Sequence, residues 1–370
     1  MQPAAGPPQA EHNAAEGSER KHRVPGETPT AANAAALREG RSVGCGLPRL
    51  AVLMDRAVRA TGLDLAGLTV LTEAATGAYA TTSVIAAMAG AAHVYALAKP
   101  SRHGSAAEAE AEVANLASFV GVAARVTVLR SLEPSLLAGM DIVTNSGHLR
   151  PLAAELLERL PGQAVVALMF EAWELRPGDI DMECCARRGI PVVGVNERHP
   201  AVNVFAFLGP LSVKQLHDCG LAVYGNRIAL LCDNAFAPWI FRGLSALGAH
   251  AETFTHWDQV EDGAWDAIVV AMSPGSPGSV DAAAARHLAA TSSAGASIVQ
   301  FWGDVDRAAV AESGLEIWPP MAPRPGHMGI LLSAIGPEPV VRLQAGGLRA
   351  AELVFRRREA PPDGIAQIVT

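Results

Sequence analysis

Short apolar runs rich in β-branched residues alternate with longer stretches of helical periodicity from Leu68 onward. Such runs, bounded by polar or glycine-containing segments, predict β-strands. The predicted strands are Thr69–Thr72, His93–Ala98, Arg125–Leu129, Asp141–Thr144, Ala164–Met169, Pro191–Val195, Arg227–Leu231, Ala251–Phe254, Ala267–Ala271, Ala296–Phe301 and Leu315–Trp318. The predicted helices include Gly104–Val120, Leu152–Leu160, Val202–Leu216, Trp239–Leu247, Val280–Ala290 and Leu348–Arg358. This alternation is typical of parallel sheets that carry helices on both faces.

The pattern divides near residue 205, where the segment Val202–Leu216 predicts a connecting helix. We therefore predict an α/β fold with two Rossmann-like or flavodoxin-like domains, parallel sheets and an interdomain cleft. The first, substrate-type domain spans 43–205, and the second, dinucleotide-binding-type domain spans 206–347. Residues 348–370 are predicted to form a C-terminal helix and tail. Residues 1–42 are rich in Ala, Pro, Gly, Glu and Ser, which predicts a disordered tail.

Composition narrows the function classes. Hydrophobic residues make up 50% of the chain, charged residues 18%, and the net charge is −8. That balance argues against nucleic acid or a membrane as the main partner. The chain shows no apolar run of about 18 residues and no apolar segment near its start, so we expect a cytoplasmic protein. The five cysteines lack C-x-x-C spacing, which predicts reduced thiols and no metal site.

The stretch I-A-L-L-C-D-N-A-F-A at 228–237 has the setting of a dinucleotide-binding turn, between an apolar strand and a helix. The three glycine positions of G-x-G-x-x-G hold Cys232, Asn234 and Ala237. Those glycines allow the tight turn, the approach of backbone to a pyrophosphate, and close packing of helix on strand. A helix N-terminus still offers free N–H groups to an anion, but Asp233 adds a negative charge there.

The order of elements over about 68–358 resembles the D-2-hydroxyacid dehydrogenase family. The segments that carry the resemblance are D-I-D-M-E-C-C-A-R-R-G-I-P-V-V-G-V-N at 179–196, the stretch 224–249, S-I-V-Q-F-W-G-D-V-D-R-A-A-V at 297–310 and L-Q-A-G-G at 343–347. The resemblance implies NAD or NADP as cofactor, a small-molecule acid as ligand and a homodimer. It assigns cofactor contacts to Cys232, Asp233, Asn234, Ala237, Thr255 and Ser273.

The catalytic positions that the resemblance implies hold unexpected residues. The arginine that would bind a 2-oxo acid falls on Trp302, and the proton-transferring histidine falls on Gln344. Thr255 stands where an acid would hold the adenosine ribose. A glutamine cannot exchange a proton near neutral pH, and an indole cannot pair with a carboxylate as a guanidinium does.

Other loop residues are candidates for the chemistry. His148 follows Ser146 and Gly147 in the loop whose backbone N–H groups, by the same resemblance, touch the ligand carboxylate. His327 lies in the Pro/Gly-rich segment Pro319–Pro339 and is our preferred proton-transfer group. Glu171 and Glu174 flank Trp173 and suit acid–base work, although a solvated loop explains them as well.

We therefore expect an oxidoreductase-like protein that acts on or binds a small acid in the cleft, with altered catalytic groups. The first alternative is a non-catalytic scaffold or ligand sensor with the same fold. The second is an S-adenosylmethionine-dependent transferase, suggested by T-V-L-T-E-A-A-T-G-A-Y at 69–79, although Lys99 stands where an acid is expected.

Overall fold

The computed structural model describes residues 46–357 and 363–369, so the predicted tail 1–42 and Cys45 lie outside the described residues. In chain order the strands are β1 (Thr69–Ala74), β2 (His93–Ala98), β3 (Val126–Leu129), β4 (Ile142–Thr144), β5 (Val165–Ala167), β6 (Val192–Val195), β7 (Arg227–Leu231), β8 (His250–Phe254), β9 (Trp265–Ala271), β10 (Ser292–Trp302), β11 (Glu316–Trp318) and β12 (Ala366–Ile368). The α-helices are α1 (Leu47–Thr61), α2 (Thr81–Met88), α3 (Ala106–Phe119), α4 (Ala154–Leu157), α5 (Met182–Arg188), α6 (Leu208–Asp218), α7 (Ala237–Ala246), α8 (Ala282–Thr291), α9 (Arg307–Glu312) and α10 (Glu338–Arg357).

The strands form two sheets. The first has the order β12-β6-β5-β4-β1-β2-β3, and its neighbours are parallel except for the antiparallel pair β12 and β6. The second has the order β11-β10-β9-β7-β8, with parallel neighbours throughout. The predicted α/β class with two parallel-strand sheets is therefore confirmed.

Adjacent strand residues face opposite sides of each sheet, and both sides are buried. Val70 packs in one apolar cluster of the first sheet and Leu71 in another. In the second sheet Leu230 packs in one apolar cluster and Leu231 in the other. Because helices cover both faces, the central strands read as continuous apolar runs, which is why the sequence predicts them well.

The C-terminal helix differs from its prediction. Helix α10 begins at Glu338, ten residues before the predicted Leu348, so the boundary placed at 347 falls inside one continuous helix. Gly346 and Gly347 suggest a break in the sequence, but here they allow close packing. A Cβ at Gly347 would lie 2.8 Å from Sδ of Met169, beside β5. The helix thus packs against the first sheet, not the second.

The connecting helix also begins later than predicted. Asn203 has a positive φ of 49°, and a 3-10 turn at Phe205–Phe207 precedes α6. Asparagine tolerates the left-handed conformation, which interrupts a helix at this point. Helix α6 then crosses α7 where Gly209 meets Gly243.

Two further expectations concern the described residues alone. No helix within 46–357 and 363–369 is long and apolar enough to cross a membrane. Cys184, Cys185, Cys219 and Cys232 are free thiols. Burial raises the pKa of Cys185 to about 12, so this thiol stays protonated at neutral pH.

Candidate functional site

Loops of the two sheets meet at a boundary, the cleft. The loop after β5 contacts the second sheet there, and the second sheet contributes the turn after β7, the end of β10 and the segment after β11. The Trp173 ring lies 5.3 Å from that of Trp302 and 6.5 Å from that of Phe236, so aromatic side chains join the two sides. Arg176 Nη1 and His327 Nε2 also meet across the cleft at 2.9 Å. Ligand sites of parallel sheets lie at this edge.

His327, the preferred proton-transfer candidate, therefore lies in the cleft. A guanidinium has only donors, so His327 Nε2 must accept the hydrogen bond from Arg176. Partial burial lowers the pKa of His327, and the positive charges of Arg176, Arg324, Arg102 and Arg150 lower it further. The imidazole is consequently neutral near pH 7, with its Nε2 lone pair directed to Arg176.

Arg150 is held rigidly in the loop after β4. Its Nε donates to the Asn145 backbone oxygen at 2.9 Å and to Asn145 Oδ1 at 3.1 Å. The guanidinium also lies over the Phe170 ring, 5.2 Å from the centroid, and 3.9 Å from the Asp179 carboxylate. Asn145 is fully buried, and its Nδ2 donor has no hydrogen-bond partner in the protein. A buried donor without a partner is costly, which suits a position beside a ligand.

Glu171 is not the solvated loop acid that the sequence allows, because only 1% of it is exposed. Trp173 Nε1 donates to Glu171 Oε2 at 2.6 Å, and the Glu197 backbone N–H donates to Oε1 at 3.1 Å. Arg198 Nε lies 3.6 Å from the same oxygen. The Glu171 carboxylate therefore organises the loops that follow β5 and β6.

Two neighbouring carboxyl groups hold protons unusually well. Burial and the adjacent Glu171 charge raise the pKa of Glu174 to about 7. Burial and the charges of Glu174 and Glu171 raise the pKa of Glu197 well above its usual range. Burial raises the pKa of Tyr79 to about 12, with Glu73 the next cause. Glu174, on the first side of the cleft, can thus exchange a proton near neutral pH, whereas Tyr79 stays protonated there.

Backbone strain marks the same place. Met169 is buried at the end of β5 and has a φ of 67°, although it is neither Gly nor Asn. It lies two residues before Glu171. Strained residues of this kind persist where the surrounding packing fixes them, and they cluster at functional sites.

The loop of His148 contacts a carboxylate from the protein itself. The His148 backbone N–H donates to Glu73 Oε2 at 3.1 Å. Burial raises the pKa of Glu73 although His148 and Arg150 oppose the shift. The N–H that the family resemblance assigns to a ligand carboxylate is therefore already engaged by Glu73.

Trp302 and Gln344 have structural partners. Trp302 is buried, and its Nε1 donates to the Gly326 oxygen at 3.3 Å. This bond helps to position the loop that carries His327. Gln344 is buried in α10, and its Oε1 accepts a hydrogen bond from the Thr82 hydroxyl at 3.0 Å.

The turn between β7 and α7 lies at the switch point of the second sheet, with β8 on one side of β7 and β9 on the other. Asn234 Nδ2 donates to the Ala271 oxygen at 2.7 Å, and its Oδ1 accepts from the Phe236 N–H at 3.0 Å. Asp233 Oδ1 accepts from the Ser273 N–H at 2.8 Å and from its hydroxyl at 3.0 Å. Side chains therefore bridge the crevice between β7 and β9.

The remaining predicted cofactor residues also make internal contacts. Cys232 is buried, with Sγ 3.5 Å from Asn234 Oδ1, and burial raises its pKa to about 11. Ala237 begins helix α7. The Thr255 N–H and hydroxyl both donate to Gln259 Oε1, at 3.0 and 3.1 Å.

These residues do not fit a dinucleotide. Burial alone would raise the pKa of Asp233, but hydrogen bonds from Ser276, Ser273 and Asn234 lower it, so the carboxylate is charged. That charge repels a pyrophosphate at the position where a dinucleotide crosses the sheet. Phe236 is buried against Trp302, 5.1 Å between ring centroids, and fills space beside the turn.

A cavity of about 370 Å³ is lined by residues 322–326, Arg324 among them, and by residues near the carboxyl end of β10. Its carboxylates serve the fold, since Asp281 and Asp306 accept hydrogen bonds at the N-termini of α8 and α9. Arg307 in this cavity is bound to Gln300 Oε1 and to the Pro319 oxygen. Within the part of the chain that the structure describes, no three His, Cys, Asp or Glu side chains are grouped to hold a metal.

The chain resembles solved structures in fold. A dipicolinate synthase polypeptide from Bacillus halodurans matches with a TM-score of 0.52 and 11% identity, over 80% of this chain and 100% of that one. The corresponding dipicolinate synthase polypeptide from Bacillus subtilis matches with a TM-score of 0.52 and 13% identity over the same shares. A D-lactate dehydrogenase from Treponema pallidum gives a TM-score of 0.45 and 12% identity, over 78% of this chain and 97% of that one.

The sequence matches no protein-family model and no curated protein. Identities this low show a shared fold alone. The chain therefore shares the fold of these dipicolinate synthase polypeptides, and the predicted α/β fold with parallel-strand sheets is confirmed at that level.

The carboxyl-end rule for parallel sheets places the loops Glu73–Tyr79 and Asn145–His148 at the cleft, and these contain Tyr79 and Asn145. Sequence reasoning did not single out Arg150, Arg176 or Glu197. Each of these three also lies in a loop that follows a strand of the first sheet.

Proposed function

We propose that this protein binds a small carboxylic acid in the cleft, using an oxidoreductase-like fold without a tightly bound nicotinamide dinucleotide. The observation that carries this proposal is the contact between Arg176 and His327 across the cleft. Arg150, which also lowers the pKa of His327, and the unpartnered Asn145 donor bound to Arg150 support it. Arginine suits carboxylate recognition because its planar group donates two parallel hydrogen bonds.

Acid–base work on the bound acid is part of the proposal. Glu174 has a pKa of about 7, and neutral His327 offers a second titratable group on the opposite side of the cleft. Groups that change protonation near neutral pH are suited to proton transfer. If no reaction occurs, the same cleft serves as a ligand sensor.

A second candidate is an NAD- or NADP-dependent oxidoreductase that acts on the same acid. The strand order of the second sheet favours this candidate. Helix α7 follows the carboxyl end of β7, where the strand order reverses, and dinucleotides bind at such a position. Such a cofactor would have to displace Asn234 from Ala271 and neutralise Asp233, so we expect weak affinity.

Binding experiments separate the two candidates. The purified protein is titrated with NADH and NADPH, and energy transfer from tryptophan is followed. Its melting temperature is then measured with a panel of 2-oxo and 2-hydroxy acids. A ligand at a hundredfold excess over its Kd stabilises by about 2.7 kcal/mol, which is readily measured. We expect acids to raise the melting temperature and neither dinucleotide to bind at submillimolar concentration.

Each alternative outcome has a distinct meaning. Submillimolar NADH binding with turnover of an acid would replace the first candidate with the second. Absence of stabilisation by every acid would overturn the proposed cleft function. Arg125→Gln, at an exposed arginine beside β3, is the control for Arg176→Gln, which should lose the acid response. The homodimer implied by the resemblance is a separate proposal, which sedimentation tests.

A further inference from the structure

Four arginines from four separate segments of the chain act on the charge of His327, and Arg176 contacts its ring directly. Arg102 follows β2, Arg150 follows β4, Arg176 follows β5, and Arg324 lies three residues before His327. All four lower the pKa of His327. The backbone adds a direct contact, since the His327 N–H donates to the Arg324 oxygen at 2.9 Å. A chain of net charge −8 thus concentrates positive charge at one end of the cleft.

Most of this charge lacks a close counterion. The Arg150 Nε lies 3.9 Å from the Asp179 carboxylate. The charges of Arg176 and Arg150 both lower the pKa of Glu174. No carboxylate among the described residues lies within 4.0 Å of Arg102, Arg176 or Arg324. The guanidinium of Arg102 instead donates to His103 Nε2, and that of Arg176 to His327.

The side-chain amide of Asn145 adds an uncharged hydrogen-bond donor beside Arg150. Asn145 Oδ1 accepts from Arg150, which fixes the orientation of the amide, and its Nδ2 is left without a protein acceptor. The side chain is fully buried. Arg150 and Arg176 are half-buried and Asn145 is buried, whereas Arg102 and Arg324 are exposed. The first three are named the inner group, and the two exposed arginines the outer group.

We propose that the ligand is a small dianion, with one anionic group at Arg150, Arg176 and Asn145 and the other at Arg102 and Arg324. This inference rests on the proposed acid-binding function and adds the charge of the ligand. A single carboxylate occupies only one of the two groups and leaves the other uncompensated. A dicarboxylate or a phosphorylated acid meets both, because each group offers guanidinium donors to planar or tetrahedral oxyanions.

The test compares ligands of one and two charges at constant ionic strength. Isothermal titration calorimetry measures the affinity for acetate, malonate, succinate, glutarate and inorganic phosphate. We expect at least one dicarboxylate to bind about tenfold or more tightly than acetate, a difference of about 1.4 kcal/mol. The dicarboxylates and phosphate are separate arms, so their ranking shows which kind of anion fits the cleft.

Variants assign the two groups. Arg102→Gln and Arg324→Gln should lower the affinity for the preferred dianion about tenfold or more and leave acetate unchanged. Arg176→Gln should weaken both ligands, and Arg125→Gln should weaken neither. Melting temperatures without ligand show whether each variant is folded. The exposed positions of Arg102 and Arg324 make loss of folding unexpected.

The outcomes distinguish this inference from the proposed function. Equal affinity for acetate and every dianion would overturn the dianion and leave acid binding intact. The same conclusion follows if Arg102→Gln and Arg324→Gln change nothing. Failure of all five anions and of the wider acid panel to bind would overturn both proposals together.

Discussion

Glu174 lies beside Glu171 and Glu197 in the cleft, and burial is the first cause of its raised pKa of about 7. In the unfolded chain its pKa returns to about 4.5. The folded state therefore holds a proton that the unfolded state releases between these two values. A carboxyl group whose pKa is higher in the folded state stabilises that state at pH values below its unfolded pKa. This stabilisation is lost as the pH rises through the folded pKa.

Replacing Glu174 by Gln should flatten this dependence. Between pH 4.5 and 7 the wild-type protein should lose about 1–3 kcal/mol that the Glu174→Gln variant retains. Denaturant unfolding at a series of pH values measures the difference. Glu312→Gln, at an exposed carboxyl on α9, is the matched control and should follow wild type. Parallel pH curves for Glu174→Gln and wild type would contradict the assignment.

The acidic residues around Trp173 show what the sequence can predict at this scale. The spacing in E-A-W-E left paired carboxylates and a solvated loop as alternatives. In the structure Glu171 is buried and accepts from Trp173, and Glu174 accepts from the Glu171 N–H. The burial of Glu171 was not predictable, because it depends on Glu197 in the next loop. The Ala172 N–H is also held by Gln367 Oε1 at 2.8 Å, from a strand 195 residues away. Contacts between distant segments do not appear in local spacing.

Helices α6 and α7 provide the clearest case at the scale of elements. A Cβ at Gly243 would lie 2.5 Å from Cα of Gly209, so the two backbones touch at their crossing. We expect Gly243→Ala to destabilise the protein by about 1–3 kcal/mol through overpacking. A gain in helix propensity of up to about 1 kcal/mol offsets part of this cost, so the net destabilisation should be up to about 2 kcal/mol.

Denaturant midpoints measure the effect, with Gly139→Ala as the control because no neighbouring atom lies within 4 Å of its Cβ position. Gly243→Ala as stable as Gly139→Ala would show that the helices separate without cost. The periodicity of the sequence predicted α7, but a small residue within a helix does not reveal which element it contacts.

The turn after β7 was predicted in register, as an apolar strand followed by a helix. The sequence did not predict that side chains of this turn bridge the crevice. Asn234 donates to the Ala271 oxygen, and Asp233 accepts from Ser273. Both lie at the end of β9, some forty residues later in the chain. The absence of three glycines can be read from the sequence. The hydrogen bonds across the crevice can be predicted only when the order of strands in the sheet is known.

At the scale of the whole molecule, the strand and helix alternation was predictable because each run is local. The antiparallel β12 was missed, since three residues offer too short a pattern. The cleft charge was also missed, because Arg102, Arg150, Arg176 and Arg324 are distributed over more than 200 residues and converge only in the folded chain.

A bridging ligand should therefore protect both sides of the cleft at once. We expect malonate to slow hydrogen exchange in the loop 145–150, on the first sheet, and in the segment 324–329, on the second. Ligand binding suppresses local opening wherever it makes contact. The amides of α1, which packs on α2 and α10, serve as the control and should not change.

The Arg324→Gln variant tests whether the two effects are linked through the ligand. With malonate at saturating concentration, the variant should keep protection at 145–150 and lose it at 324–329. The outer group then retains only Arg102, which lies in the loop after β2. Mass spectrometry of peptic fragments resolves the two segments. Protection confined to 145–150 in the wild-type protein would mean that the ligand occupies the first sheet alone, and the four arginines would then not act as one site.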